Sequence, residues 1–203
     1  MKLFYHYCPA GFSNCYILGT DFPDPGAIII DPGIMDSEIL SIIEDNNLSI
    51  NGIFITHDHS HHVRGLKTFM RIYNAEIFAV NPVVLEQKTT IVKDGDQINI
   101  GSIRIEVISV PGHSADSAVF KIGRFLFTGD AMSAGLVGST ASSYATMTQE
   151  RALRSKIFSM PGDYTILPGH GPPSSLEAER RFNYGLHTNE KFNNTRQIID
   201  FTD

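Results

Sequence analysis

The chain has 203 residues, of which 42% are hydrophobic and 10% aromatic, and it carries a formal net charge of -6. This length and composition suffice to bury the core of one globular domain without a structural metal ion, so we expect a single domain over residues 1–203. The acidic balance disfavours broad electrostatic binding to nucleic acid or to an anionic membrane. We therefore expect neither of them as a partner.

The N-terminus and the two cysteines give information on the cellular compartment of the protein. Residues 1–10 lack the long apolar core of a secretory signal, which favours a cytoplasmic location. Cys8 and Cys15 would close only a small loop, and a cytoplasmic compartment keeps thiols reduced. We expect both to be free, structural thiols, because Cys15 lies in an apolar strand-like segment where a free cysteine behaves as a small hydrophobic residue.

The first half of the chain combines strands and helices, and it opens as an antiparallel meander punctuated by Gly, Pro and Asp. The apolar pattern predicts strands at 2–7, 15–18, 27–30, 53–56 and 76–80. Helices are predicted from a cap at Asp36 or Ser37 to about Asn47, around Leu66, and near Pro82.

The second half begins with two predicted hairpins. Strands at 97–100 and 103–110 flank Gly101-Ser102, a two-residue turn signature, and segments 117–121 and 125–128 are joined through Gly123. A Gly/Ser-rich loop at 134–143, a helix at 149–158, a strand at 164–167 and a helix at 175–186 are predicted to follow. The polar tail at 187–203 is predicted to be loosely ordered, and packing of its apolar residues on a partner subunit stays open.

Six of the eight histidines follow strand-like segments. They are His57, His59, His61, His62, His113 and His170. Neutral imidazole is the commonest metal ligand, and short histidine clusters on loops present several nitrogens to one ion. Because ligands placed at the carboxyl ends of strands gather at one edge of a sheet, the sequence predicts a metal site at one edge.

The histidine motifs and their neighbours resemble the signature of the metallo-β-lactamase superfamily. The chain reads Thr-His-Asp-His-Ser-His-His at 56–62, Gly-His at 112–113, Gly-Asp at 129–130 and Gly-His at 169–170, in the order of that family. The resemblance extends from about Phe12 to Pro173 and is closest to the compact glyoxalase II-like hydrolases. It implies an α+β fold, a four-layer αββα sandwich with the metals at one edge of its two sheets.

The resemblance also implies a ligand set for two divalent metal ions, zinc by preference with iron or manganese as alternatives. The first ion would be held by His57, His59 and His113, and the second by His62 and His170. Asp130 would bridge the two ions and take part in catalysis. The chemistry agrees, because three nitrogens leave a position open for water and a carboxylate between two cations offsets their repulsion.

One position departs from the family signature. Where the family places an aspartate, this chain has His61, so a charged ligand is exchanged for a neutral base. Imidazole still coordinates zinc or iron, and we predict His61 as a catalytic residue and a ligand of the second metal. A histidine that lies at the site without binding, and a one-metal enzyme, are the alternatives. The loss of one negative charge predicts a centre with increased affinity for anions.

Other acidic residues near the motifs receive smaller roles. Asp58 is limited to a supporting contact, because its position differs from that of the missing aspartate. Asp31 and Asp36 are interpreted as turn and cap residues rather than as ligands. The segment from Gly138 to Tyr144 lies where loops of this fold often approach the substrate, and we include Tyr144 as a catalytic candidate whose hydroxyl can stabilise an oxyanion. An ordinary loop tyrosine is the alternative.

The functional prediction follows from the resemblance. It implies a metal-dependent hydrolase that uses a metal-bound hydroxide on a small ester, thioester or lactone. A mononuclear iron oxidoreductase of the persulfide dioxygenase kind and a non-catalytic metal-binding module are the alternatives. We expect a small-molecule substrate, and a homodimer stays open.

Overall fold

The structure is a computed structural model that describes residues 1–20 and 26–187. The strands are β1 (Lys2–Cys8), β2 (Ser13–Gly19), β3 (Gly26–Ile30), β4 (Ser49–Phe54), β5 (Glu76–Ala79), β6 (Val83–Val84), β7 (Gln87–Lys88), β8 (Thr90–Ile91), β9 (Gln97–Ile100), β10 (Ile103–Ser109), β11 (Ala118–Ile122), β12 (Phe125–Gly129), β13 (Met132–Ser133), β14 (Leu136–Val137), β15 (Thr165–Pro168) and β16 (Ser174–Ser175). The helices are α1 (Ser37–Asp45), α2 (Ser60–Val63), α3 (Leu66–Ile72), α4 (Ser143–Ala152), α5 (Leu176–Phe182) and α6 (Tyr184–His187), and a π-helical segment (Leu153–Phe158) continues α4.

Two six-stranded sheets form the centre of the molecule. The first has the order β1-β2-β3-β4-β5-β8, antiparallel up to β3 and parallel from β3 onward. The second has the order β16-β15-β12-β11-β10-β9 and is antiparallel except for the pair β12-β15. Because β12 and β15 run parallel, the residues that follow them leave the sheet at the same edge.

Apolar runs in the central strands are explained by burial on both faces of the sheet. In β4, Ile53 packs under the helices α1 and α3, whereas the adjacent Phe54 points into the layer between the sheets. Ile29 and Ile30 of β3 divide in the same way. On the far side, the second sheet packs through Leu126 against α4, α5 and the π-helical segment. The layers therefore read helix, sheet, sheet, helix, which confirms the predicted αββα sandwich.

The two cysteines are free and buried, as predicted. Burial raises the pKa of Cys8 to about 11 and raises that of Cys15 well above its ordinary value. Both thiols are therefore protonated near neutral pH, and neither presents a thiolate nucleophile.

Several predicted elements are confirmed and others need correction. The turn at Gly101-Ser102 joins β9 to β10 as expected. The helix predicted near Pro82 is wrong: β6 and β7 form a hairpin there, with Leu85 and Glu86 in the left-handed region at φ 45° and 67°. The predicted loop at 134–143 contains β14, and the following helix begins earlier than expected because the Ser142 side chain caps it.

The end of the described chain also differs from the prediction. The helix expected at 175–186 is interrupted at Asn183, so that α5 and α6 are separate. The tail predicted at 187–203 lies, from residue 188 onward, outside the described residues. The single domain expected over residues 1–203 stays a prediction.

The layer between the sheets predicts the effect of a core substitution. Phe120 is fully buried, and its ring meets that of Phe54 edge-on at 5.2 Å between centroids. We expect Phe120→Ala to lower the free energy of unfolding by about 3–5 kcal/mol in denaturant titrations. The substitution leaves a cavity between the two sheets, and the surrounding side chains can fill it only in part. The matched control is Ile72→Ala at an exposed position, with an expected change below about 1 kcal/mol. Equal effects of the two substitutions would contradict this packing.

Candidate metal centre

The candidate ligands come from four loops at one edge of the sandwich. His57 follows β4, His113 follows β10, Asp130 follows β12 and His170 follows β15. Backbone hydrogen bonds tie these loops together across the two sheets. The N–H of Ala118 donates to the carbonyl of Thr56 at 2.9 Å, and the N–H of Gly169 donates to that of Gly129 at 2.9 Å. These two hydrogen bonds join the loop of His57 to the second sheet and the loop of Asp130 to that of His170.

One carboxylate oxygen is the point on which the ligands converge. The distances from Asp130 Oδ2 are 3.7 Å to His57 Nε2, 3.4 Å to His62 Nε2, 3.6 Å to His113 Nε2 and 3.5 Å to His170 Nε2. These separations exceed ordinary hydrogen bonds. Ligands that share one tetrahedral zinc ion at normal bond lengths lie about 3.4 Å apart, which is the spacing observed.

The side chains divide into two groups. Within each group, all ligand atoms lie within 4.8 Å of one another. The first group is His57, His59, His113 and Asp130, and the second is His62, Asp130 and His170. Asp130 belongs to both, as a bridging ligand must. Six of the seven predicted metal ligands are thus brought together in the predicted division.

Buried polar atoms support the fit of metal ions to these groups. His57 Nε2, His62 Nε2 and Asp130 Oδ1 are buried, and none has a hydrogen-bond partner within residues 1–20 and 26–187. A buried polar atom without a partner costs free energy, so several in one place indicate a ligand that satisfies them. Gly169 leaves room for this arrangement, because a Cβ there would lie 2.4 Å from Asp130 Oδ1 and 2.6 Å from His62 Cε1.

Carbonyl oxygens orient two of the rings. The Nδ1–H of His113 donates to the carbonyl of Ser139 at 2.9 Å, and the Nδ1–H of His170 donates to that of Phe12 at 2.8 Å. With Nδ1 as the donor, each ring presents Nε2 to the centre, and that atom lies within 3.6 Å of Asp130 Oδ2. Such outer partners set the tautomer and the direction of a ligand histidine.

Asp31 does more than the predicted turn. It accepts hydrogen bonds from the backbone N–H of Thr56 at 2.8 Å and from the Thr56 hydroxyl at 2.6 Å, and its Oδ2 lies 3.2 Å from His62 Nδ1. Asp31 belongs to neither ligand group found among the described residues, in agreement with its interpretation as a residue other than a ligand, and its carboxylate orients the His62 ring. A signal was present in the sequence: like Asp130, Asp31 directly follows a buried strand. Asp36 is the cap of α1, as predicted.

Asp116 was not identified from the sequence. Its Oδ2 accepts hydrogen bonds from the backbone N–H of Asp58 at 2.9 Å and from Asn81 Nδ2 at 3.0 Å. It thereby links the loop after His113 to the loop that carries His57. The supporting role of the Asp58 side chain stays a prediction.

The electrostatics of the two groups differ. Burial, together with the charge on His62, lowers the pKa of His57 to about 3, so its ring is neutral as a metal ligand must be. Burial also acts to lower the pKa of His62, but the carboxylates of Asp130 and Asp31 outweigh it and raise that pKa to about 10. Two carboxylates around one imidazole therefore favour a positive charge at the second group, which a bound cation would supply in place of the proton on His62.

His61 lies at the margin of the centre. Its exposed ring is 5.9 Å from that of His170 and rests over Gly11, where a Cβ would be 3.0 Å from His61 Cδ2. His61 belongs to neither of the ligand groups found among the described residues. Its role as a ligand of the second metal stays a prediction, and the geometry leaves that group with three ligand side chains.

Tyr144 is not on a loop. It lies in the first turn of α4, and its side chain is 80% exposed. The loop placement predicted for it is wrong, because the cap at Ser142 starts the helix before it. Its catalytic role stays a prediction.

A cavity of about 330 Å³ opens over the ligands. It is lined by His113, Asp130, Ser133, Leu136, Val137, Gly138, Ser139 and His170. One wall is the hairpin β13-β14, which the sequence did not reveal. The buried Glu179 carboxylate holds this hairpin by accepting the N–H of Gly135, with both oxygens at 3.1 Å. The position of the wall is thus set by a charge-assisted hydrogen bond.

Comparison with known proteins agrees with this geometry. The model of the metallo-beta-lactamase superfamily matches residues 8–170. The chain belongs to the metallo-β-lactamase superfamily. The predicted metallo-β-lactamase-fold metallohydrolase is confirmed at the level of the family. The hydroxyacylglutathione hydrolase of Francisella tularensis is 35% identical over 148 residues, which cover 71% of this chain and 58% of that protein.

Solved structures resemble the chain over most of its length. The BLEG-1 B3 metallo-β-lactamase superimposes with a TM-score of 0.82 at 20% identity, covering 91% of this chain and 99% of that one. ETHE1 from Myxococcus xanthus superimposes with a TM-score of 0.80 at 24% identity, covering 91% and 84%. At these identities the likeness shows the fold.

No helix within residues 1–20 and 26–187 is both long and apolar enough to cross a membrane. The cytoplasmic location stays a prediction.

The convergence of nitrogens predicts the effect of removing one. We expect His113→Ala to lower the bound metal by about one ion per chain, measured by elemental analysis after dialysis, because the first group loses one of its three imidazoles. The metal-free variant should unfold within about 1 kcal/mol of the metal-free parent, since the large core does not depend on the ion. Asn99→Ala, on the exposed face of β9, is the control for metal content. Undiminished metal in His113→Ala would contradict the assignment.

Proposed function

We propose that this chain is a metal-dependent hydrolase of small esters, thioesters or lactones, with two divalent ions, zinc by preference. The observation that carries the proposal is the convergence of four imidazole nitrogens on Asp130 Oδ2 at the floor of an open cavity. A structural metal site is closed, whereas a catalytic one keeps an accessible position. The cavity supplies that access.

The residues divide the work of such a centre. His57, His59 and His113 would hold one ion, His62 and His170 the other, and Asp130 would contact both. When bound, the ions supply activation of water, by lowering its pKa enough to give a nucleophile at neutral pH. The protein contributes the orientation of its ligands: the carbonyl of Ser139 fixes His113 and the carboxylate of Asp31 fixes His62. The Asp130 carboxylate also offsets the repulsion between two cations.

The cavity favours a small substrate with a short apolar acyl group. Its volume of about 330 Å³ is near the lower end of typical ligand sites. Leu136 and Val137 offer apolar surface on one wall, while Ser133 and Ser139 offer polar atoms close to the ligands. The 35% identity to a hydroxyacylglutathione hydrolase supports a thioester as the first class to test.

The histidine at position 61, where the family has an aspartate, also affects which substrate charge the centre favours. A family member with an aspartate at the position of His61 carries one more negative charge near its metals. A neutral histidine leaves this centre more positive by one unit, which favours a carboxylate or phosphate group beside the scissile bond. We therefore propose a substrate that carries a negative group close to the carbonyl.

Removal of metal tests the proposed mechanism. We expect a chelator to reduce hydrolysis of a thioester panel to the uncatalysed rate, and added zinc to restore it, because water activation depends on the ions. Cys15→Ser should keep measurable turnover, since the thiol is buried and protonated. Full activity of the chelated protein would contradict the proposal. Oxygen uptake by an iron-loaded protein without hydrolysis would instead support an oxidoreductase.

Substitution of His61 tests the charge argument. We expect His61→Asp to retain two metal ions and to weaken competitive inhibition by phosphate, on the order of tenfold, because one positive unit at the centre is cancelled. His61→Asn is the matched control: it shortens the side chain without adding charge, so phosphate inhibition should stay within about twofold of the parent. Unchanged phosphate inhibition in a fully metallated His61→Asp variant would show that this charge does not govern anion affinity.

A further inference from the structure

We infer that Gln149 is a positioning residue for the metal centre, acting through the loops that carry Asp130 and His113. This inference rests on the metal centre of the proposed function and adds a residue whose side-chain hydrogen bonds go to the neighbours of the ligands. Gln149 lies in α4 and is fully buried. A buried amide on a helix facing the site needs partners, and those partners define its role.

The amide of Gln149 joins two backbone segments. Its Nε2 donates to the carbonyl of Ala131 at 3.0 Å and to the carbonyl of Gly138 at 3.0 Å. The N–H of Gly138 also donates to the carbonyl of Ala131, at 3.1 Å. Both donor hydrogens of the amide are therefore used, and the two ends of the β13-β14 hairpin are held together at this point.

Each of these segments is adjacent to a metal ligand or to its partner. Ala131 directly follows Asp130, the bridging carboxylate. Gly138 directly precedes Ser139, whose carbonyl accepts the Nδ1–H of His113. A shift of the first segment would move the Asp130 carboxylate, and a shift of the second would release the His113 ring. The position of the Gln149 amide nitrogen therefore affects both side chains.

A third segment packs on the same side chain. Gly112, the residue before His113, has φ +152°, and a Cβ there would lie 2.3 Å from Gln149 Cβ and 2.7 Å from its Oε1. A larger residue cannot stand at position 112 while Gln149 keeps its place. Three loops of the centre thus meet on one buried side chain, and this is the juxtaposition from which the inference follows.

A general structural role would give a different pattern of effects. Leu153, one helical turn further along, is fully buried in the outer core and contributes to stability through apolar packing. It has no hydrogen bond through its side chain to the loops of the centre. If Gln149 only stabilised the fold, substitutions at the two positions would change metal binding equally at equal loss of stability.

The experiment compares two variants of Gln149 with two controls in the full-length protein. Gln149→Met keeps the length of the side chain and removes both donors. Gln149→Glu keeps the shape and places an acceptor against two carbonyl oxygens, which provides a second variant if the first does not fold. Leu153→Ala controls for stability, and Gln97→Met controls for the chemistry of the substitution at an exposed site. Zinc affinity is measured by competition with a chromophoric chelator, and folding by denaturant titration without metal.

We expect zinc affinity to fall on the order of 10–100-fold in both Gln149 variants, the range seen when partners of metal ligands are removed. Leu153→Ala and Gln97→Met should stay within about twofold of the parent. Unchanged affinity in a folded Gln149 variant, or an equal loss in Leu153→Ala, would overturn the inference.

The zinc measurement needs no substrate, so it separates this inference from the proposed activity. A parent protein that binds zinc tightly, hydrolyses no ester or thioester, and loses affinity on substitution of Gln149 would support the inference while contradicting the proposed function. A parent protein that binds no zinc would overturn both.

Discussion

The Asp130 carboxylate is the constraint on which the site depends. Four imidazoles lie within 3.7 Å of its Oδ2, and none of those separations is a normal hydrogen bond. Burial acts to raise the pKa of Asp130, but the His62 ring, with smaller contributions from His57 and His170, outweighs it and lowers that pKa to about 2. A carboxylate held ionised among imidazole rings provides the negative charge that two cations need between them. The other ligands are arranged around this one oxygen.

The topology explains how ligands so distant in sequence meet. Asp130 and His170 follow the parallel strands β12 and β15, so both leave the second sheet at the same edge. His57 follows β4 in the first sheet, and the hydrogen bond from Ala118 to Thr56 joins that strand's end to the second sheet. The β-sandwich therefore presents its metal ligands on loops, while its strands supply the stability.

The sequence predicted most of the candidate ligands but few of the residues that hold them in position. Period-two and continuous apolar runs revealed the main strands, and the motifs at strand ends revealed the five histidines and the aspartate that form the two candidate ligand groups. The helix near Pro82 was wrong because the short strands β6 and β7 carry no periodicity over two residues each. The β13-β14 hairpin was hidden for the same reason. Gln149 and Asp116 gave no signal, because a polar residue is recognised as buried only when the loops packed on it are known.

Buried polar residues hold several of the loops around the centre. Asp31 holds the His57 loop, Gln149 joins the loops after Asp130 and before Ser139, and Glu179 holds the hairpin that forms the cavity wall. Each such group loses hydration when it is buried, and an apolar side chain of similar size would often stabilise the fold as well. Loops, however, expose backbone N–H and C=O groups that only a polar partner can satisfy. The apolar layers thus account for the stability of the sandwich, and the buried polar residues account for the position of its ligands.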